Sequence, residues 1–320
     1  MEGEPKFKEE KQEFQRTSGI MRAAGVSREV EKEVLDASKE SFDNQKKFSL
    51  ESEKTPEEIE IINGILGKLQ EFIKKYGGVM PPITPDHIHV CEYDTLPVEQ
   101  RERIKSIRGR YDEDSQFVAV IRNSESENNL VFASRVAHEL MHFCGFQSVT
   151  ANPEKETWSF RVGGLVVAKK KDQKREMYFV DVDEAITEEL MKRFDAECFD
   201  AIPALAKDLE DREKWIKKSV KGDKISYITT TTTKEESSMY YTTIRAQPYQ
   251  YKEEREKLWQ IINDICEKKP DDFKSEEEVF NVFANTYFTG NLLQTVRLIE
   301  DTYGKGFFRK LGEETKQPKE

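Results

Sequence analysis

The sequence predicts an α+β fold: a small, mostly antiparallel sheet packed on one apolar helix, with a mainly helical C-terminal part. Three observations point that way. β-rich runs at 87–94 and 116–122 lead into the apolar-periodic stretch LVFASRVAHELMHFCGF. Further β-rich runs follow in two pairs, each joined by a polar turn. The chain then closes with three amphipathic helical runs. Its 320 residues leave room for one large domain or two small ones. The expected organisation is a polar, partly disordered extension over 1–55, a core over 56–220, and a β-hairpin with helices over 221–320.

Each element has a local cause. Residues 1–55 are rich in Lys, Glu, Ser and Gln and poor in large apolar side chains, with one short helix expected through VSREVEKEVLDASKESF. Thr55 is placed to cap a helix whose first position is Pro56. Ile59, Ile62, Ile65, Leu66, Leu69, Phe72 and Ile73 recur at helical spacing, and Gly77 and Gly78 stop the run. HIHVCEYD alternates like a strand, and a second strand follows at 116–122. After the polar break NSESENN comes the apolar helix, which Gly145 can end. WSFRVGGLVVA (158–168) and REMYFVDV (175–182) read as one long hairpin. DEAITEELMKRFDAECF reads as a helix burying Ala185, Ile186, Leu190, Met191 and Phe194. ISYITTTTT and MYYTTIR make a second hairpin by β-propensity. EEREKLWQIINDICEKK, the run capped by Ser275, and GNLLQTVRLIEDTYG are helices.

The bulk properties exclude several classes. Charged residues make up 35% of the chain and the net charge is −11, which argues against nucleic acid or an anionic membrane as partner. No run approaches the roughly 18 apolar residues of a membrane span. MEGEPKFKEEKQEF has no apolar signal-peptide segment. Cys91, Cys144, Cys198 and Cys266 are far apart in sequence and suggest neither a disulfide framework nor a zinc finger. A reduced, cytoplasmic protein is the expectation.

The chemistry concentrates in VAHELMHFCGF at 136–146. His138 and His142, four apart on a helix, share one face one turn apart, as two zinc ligands require. Glu139 points to another part of the same cleft and can take a proton from an activated water without being a ligand. The chain has four histidines, so composition alone gives this spacing in on the order of one per cent of such sequences. A third ligand is needed. The extended form with a third histidine is absent, because Ser148 holds that position. His87 and His89 can pair on a strand face but read as ordinary strand histidines. The better source is DEAITEEL: Glu184 lies in a first helical turn, where the helix dipole favours a carboxylate, and Glu188 follows on the same face. One can ligate zinc; the other can hold a ligand histidine by its second nitrogen.

HELMH followed by DEAITEE resembles the gluzincin metallopeptidases, the class that includes thermolysin. The resemblance covers about 90–190 and implies a zincin-like fold and peptide-bond hydrolysis with one Zn2+ per chain. It gives His138, His142 and Glu184 as zinc ligands and Glu139 as general base. Thr187 and Glu188 fall where the family's second motif has its hydroxyl and its supporting acid; Asp183 stands in place of the usual Asn. The preceding sheet would hold an extended peptide on an edge strand, for which 116–122 is the candidate. The gap between the two motifs is longer than in thermolysin-like enzymes.

An oxyanion donor is the missing part. No histidine lies in the C-terminal half, so a tyrosine has to serve: Tyr251 first, with Tyr249, Tyr240 and Tyr241 as others. Cys144 reads as a small buried residue of the helix and not as a redox group. Besides a peptidase acting on peptide or protein substrates, two readings stay open. One is a zinc-binding interaction module without turnover; the other is a zinc hydrolase of a non-peptide substrate.

Overall fold

Thr55 opens helix α2 (Pro56–Lys75) as the sequence predicts. Its hydroxyl accepts from the Glu58 backbone N–H while the Glu58 carboxylate accepts from the Thr55 N–H, a reciprocal cap. The helix buries Ile61, Ile62, Ile65, Leu69, Phe72 and Ile73; Ile59, expected in that stripe, faces solvent. Gly77 takes a left-handed turn at φ 79° beyond its end. Glu58 also pairs with Arg122, whose guanidinium reaches Glu92 as well, so the cap is tied to the neighbouring sheet. The computed structural model describes residues 18–43, 50–96, 101, 109–112, 116–122, 128–152, 157–171, 174–218, 225–234, 240–314 and 317–319.

That sheet has three strands: β2 (Ile88–Glu92), β3 (Gly109–Asp112) and β4 (Phe117–Arg122), in the order β2-β4-β3. β2 runs parallel to β4 and β3 antiparallel to it. The strand at 116–122 is therefore central, which corrects its expected place at the edge; β3 is an outer strand. The short strand β3 carries too little alternation to be seen in the sequence.

Helix α3 (Asn129–Cys144) packs across this sheet. Asn128 caps it by accepting from the Val131 N–H, and Gly145 ends it. Its apolar residues are buried on nearly all sides, which marks a central helix and not a surface one. Helix α4 (Val180–Cys198) packs beside α3, burying Ala185, Ile186, Leu190, Met191 and Phe194 as the periodicity predicts.

The molecule also has a six-stranded sheet, ordered β1-β5-β6-β7-β8-β11. Its strands are β1 (Arg22–Ala24), β5 (Gln147–Asn152), β6 (Thr157–Val162), β7 (Val167–Lys171), β8 (Lys174–Tyr178) and β11 (Gln317–Lys319). β1 pairs in parallel with β5, and the other pairings are antiparallel. The expected strand over 158–168 is interrupted, because Gly163 and Gly164 have φ 117° and 68° and turn the chain. A side chain at Gly164 would collide with the Tyr287 ring and with Asp183. The expected strand over 175–182 likewise stops at Tyr178, and Val180–Val182 begin α4 instead.

The N-terminal segment joins the body. Helix α1 (Arg28–Asp43) forms where expected and sends Phe42 into the core. The Gln116 side chain accepts from the Gly19 N–H at 2.7 Å and donates to the Ser38 carbonyl at 2.8 Å. C-terminal to α4 come helix α5 (Ala206–Lys218), the hairpin β9 (Ile225–Lys234) with β10 (Tyr240–Pro248), and helices α6 (Lys252–Lys268), α7 (Glu276–Thr289), α8 (Leu292–Tyr303) and α9 (Phe307–Glu314). One apolar core runs through α2, α3, α4, α6 and α7. The architecture is α+β, as the sequence predicts, and no helix among the described residues is long and apolar enough to cross a membrane.

Candidate metal centre

His138 and His142 project from α3 and Glu184 from the first turns of α4. The three are the one group of potential metal ligands found among the described residues. The Nε2 atoms of the two imidazoles are 3.3 Å apart. Glu184 Oε2 is 3.3 Å from the first and 3.4 Å from the second. Two bonds of 2.0–2.1 Å at a tetrahedral angle place their ligand atoms about 3.3 Å apart, so the triangle has the edge length of a tetrahedral zinc site. Glu184 Oε2 is also buried without a hydrogen-bond partner. Such an atom, facing two imidazole nitrogens, fits a cation at their centre.

The remaining imidazole nitrogens are held from behind. His138 Nδ1 is 2.9 Å from Glu188 Oε2. His142 Nδ1 is 3.3 Å from Asp183 Oδ2. Glu188 can take the His138 Nδ1–H and leave that Nε2 lone pair for the ligand triangle, while Asp183 faces His142 Nδ1 as a charge partner. Asp183 is fixed in turn by the Leu165 N–H, which reaches its other oxygen at 2.5 Å through the Gly163–Gly164 turn. Thr187 donates to the Asp183 carbonyl at 2.8 Å and meets the Tyr287 hydroxyl at 2.9 Å. Burial pulls the His138 imidazole down, but Glu184 and Glu188 outweigh it and raise it to about 10. Burial opposes protonation of His142 too, and Glu184 and Asp183 carry it well above its ordinary value. Glu184 is pushed up by burial, yet the two imidazoles hold it well below the usual carboxylate range.

Glu139 lies next to this triangle and is 9% exposed. Burial raises its carboxyl above the ordinary range, against the pull of His138 and His142 and the Tyr111 backbone N–H. β3 runs past this carboxylate: a Cβ at Gly109 would stand 2.6 Å from Glu139 Oε1.

Tyr251 reaches the site. Its ring stacks on His138 with centroids 5.8 Å apart and planes at 14°. Burial raises its phenol, and Glu184 and Glu139 raise it further. Tyr249 is elsewhere, donating to Asp195 Oδ2 at 2.7 Å. The side chains of Tyr240 and Tyr241 lie outside the described residues. His87 and His89 are apart from the triangle: His87 Nδ1 sits 2.9 Å from the Thr84 hydroxyl, and His89 Nδ1 2.8 Å from Glu51. Cys144 is fully buried in the core.

Sequence reasoning missed Asp195, Tyr287 and Gly109. Asp195 had a signal, since Glu184, Glu188 and Asp195 fall on one stripe of α4 at offsets of four and seven residues. Tyr287 and Gly109 are brought in by long-range packing and had none. No family model, curated protein or solved structure matches the chain.

Proposed function

We propose that the protein is a zinc-dependent peptidase of gluzincin type with a zincin-like fold. The observation that carries this reading is the triangle of His138, His142 and Glu184 at tetrahedral edge spacing, with Glu139 beside it on the same helix. His138, His142 and Glu184 would hold the ion, which when bound supplies Lewis acidity, polarising a carbonyl and lowering the pKa of water to about 7.

The chain's own groups do the rest. Glu139 takes a proton from the attacking water and passes it to the leaving amine. Its burial supports this, because a carboxylate with a raised pKa is the stronger base. Tyr251 donates its phenol to the oxygen on which negative charge develops. It is kept protonated by burial and by Glu184 and Glu139. β3, an outer strand beside Glu139, offers backbone groups to an extended peptide. Glu188 holds the His138 imidazole in one tautomer, and Asp183 lies beside the Nδ1 of His142.

The test is metal content by mass spectrometry on purified protein together with cleavage of a peptide library. About one zinc per chain is expected in the wild type and in Glu139→Gln, and far less in Glu184→Ala. Cleavage is expected in the wild type and lost in Glu139→Gln. A wild type that takes up no zinc on reconstitution, or a zinc-loaded Glu139→Gln that cleaves normally, overturns the reading.

A further inference from the structure

Tyr249, Gln250 and Tyr251 form three consecutive contacts along one stripe of α4. The Tyr249 hydroxyl donates to Asp195 Oδ2 at 2.7 Å. The Gln250 backbone N–H donates to Glu188 Oε1 at 2.6 Å. The Tyr251 ring stacks on His138 at 5.8 Å between centroids, with Glu184 acting on its phenol. Glu188 thus divides its oxygens between the Gln250 amide and His138 Nδ1. The backbone before α6 is thereby joined through one carboxylate to a ligand imidazole.

This segment is strained at one end and over-anchored at the other. Tyr251 has φ 52° and ψ 45°, a left-handed conformation that strains a residue with a side chain. It begins α6 with no side-chain cap. Such a conformation persists only where its surroundings over-determine it. The anchors converge on Tyr249, which is 9% exposed. Arg212, from α5, donates to both oxygens of Asp195 at 2.6 and 2.9 Å and fixes the acceptor of the Tyr249 hydroxyl. Lys192 and Arg255 lie over the Tyr249 ring at 5.9 and 5.8 Å from its centroid. Both cations also bind Glu189.

We infer that the Tyr249–Asp195–Arg212 cluster is a set of positioning residues that clasps the Tyr249–Tyr251 segment to α4 and sets the Tyr251 phenol against the ligand triangle. None of the three touches the reacting atoms; they act through Gln250 and Tyr251. The kinetic half of this inference rests on the zinc-peptidase reading. The clasp itself does not.

Tyr249→Phe tests it gently, because it removes one hydroxyl and leaves Asp195 paired with Arg212. Amide exchange at Gln250, measured on the zinc-loaded and the metal-free chain, is expected to quicken about tenfold. In the loaded chain kcat should fall about tenfold with KM within about twofold, since the damage falls on the transition-state donor. Zinc content should stay at about one per chain. The double variant Tyr249→Phe/Tyr251→Phe should be no slower than Tyr251→Phe alone, because one residue acts through the other. Arg212→Lys, which keeps the charge and gives up the paired N–H donors, should show the same pattern more weakly. Unchanged exchange at Gln250, or losses that multiply in the double variant, overturns the inference. If the wild type takes up no zinc and cleaves nothing, the peptidase reading fails by itself. Exchange at Gln250 in the metal-free chain then still decides whether Tyr249 holds the segment.

Discussion

The carboxylate of Glu139 rests on the backbone of Gly109, and a Cβ built there would stand 2.6 Å from its Oε1, 2.8 Å from its Cγ and 3.0 Å from its Cδ. No left-handed turn demands this glycine; the closeness of the Glu139 carboxylate does. Gly109→Ala must therefore shift either β3 or Glu139. Displacement of a reacting group by about 1 Å costs on the order of a hundredfold in rate. We expect kcat to fall by about ten- to a hundredfold in Gly109→Ala, with zinc content unchanged. Peptide cleavage kinetics and metal analysis on the same sample check this. Full activity in the alanine variant would mean that Glu139 does not need its present position.

Two glycines in α2 make a stability pair that is independent of any chemistry. Gly67 is exposed, and nothing lies within 4 Å of a Cβ built on it. Gly67→Ala should stabilise the chain by about 0.5–1 kcal/mol, because it restricts the unfolded backbone and adds no clash. At Gly64 the new Cβ would come 2.9 Å from Ile202 Cγ1 and 3.1 Å from its Cγ2. Ile202 is 1% exposed and has little room to move. Gly64→Ala should therefore lose that gain and become destabilising, by about 1–3 kcal/mol for overpacking. Thermal or denaturant unfolding of the two variants, side by side with wild type, measures the difference in sign.

How much of this was legible follows from how local each signal is. The α2 cap at Thr55 and its apolar stripe need only neighbouring residues, and they stand as predicted. His138, His142 and Glu184 were legible because the two motifs each carry a short fixed spacing, and the structure brings them to one point. What failed to show in the sequence depends on distant partners. β1 has three residues and is defined by its pairing with β5, more than a hundred positions away. β4 becomes central only because β3, too short to read, flanks it on the side away from β2. The Gly163–Gly164 turn was visible as a glycine pair, but the apolar residues on both sides read as one continuous strand. The Gln250 contact is made by a backbone N–H, for which no side chain leaves a trace.

Glu188 serves two donors at once, His138 Nδ1 at 2.9 Å and the Gln250 N–H at 2.6 Å. Glu188→Gln keeps the shape but turns one acceptor oxygen into a donor group. The variant cannot satisfy both partners. Loss of such a support behind a ligand histidine typically lowers metal affinity about 10- to 100-fold. The zinc dissociation constant, measured by competition with a chelator, should rise by that factor while the folded content, read by circular dichroism, stays level. An unchanged constant would show that His138 is oriented by something other than Glu188.

Zinc uptake should also be a proton-releasing step whose strength grows with pH. Without metal, Glu184 and Glu188 overcome the effect of burial and raise His138 to about 10, and Glu184 and Asp183 raise His142 well above 6.5. The two Nε2 atoms are 3.3 Å apart and cannot both hold a proton towards each other, so the pair is drawn towards carrying one extra proton at neutral pH. For a group whose folded value is raised, the added stability is fully present below the unfolded value and is lost as pH climbs through the folded one. The metal-free chain should accordingly lose stability as pH rises from 6.5 through about 10. Metal binding needs the neutral imidazoles, so each ion must displace that proton. Zinc affinity should rise across the same window, by up to about one logarithmic unit per pH unit if the pair gives up one proton. Calorimetric titration at pH 8 in two buffers of different ionisation enthalpy should report about one proton released per zinc. Release of none would mean that both imidazoles are already neutral, and that the carboxylates around them do not hold the charge their geometry implies.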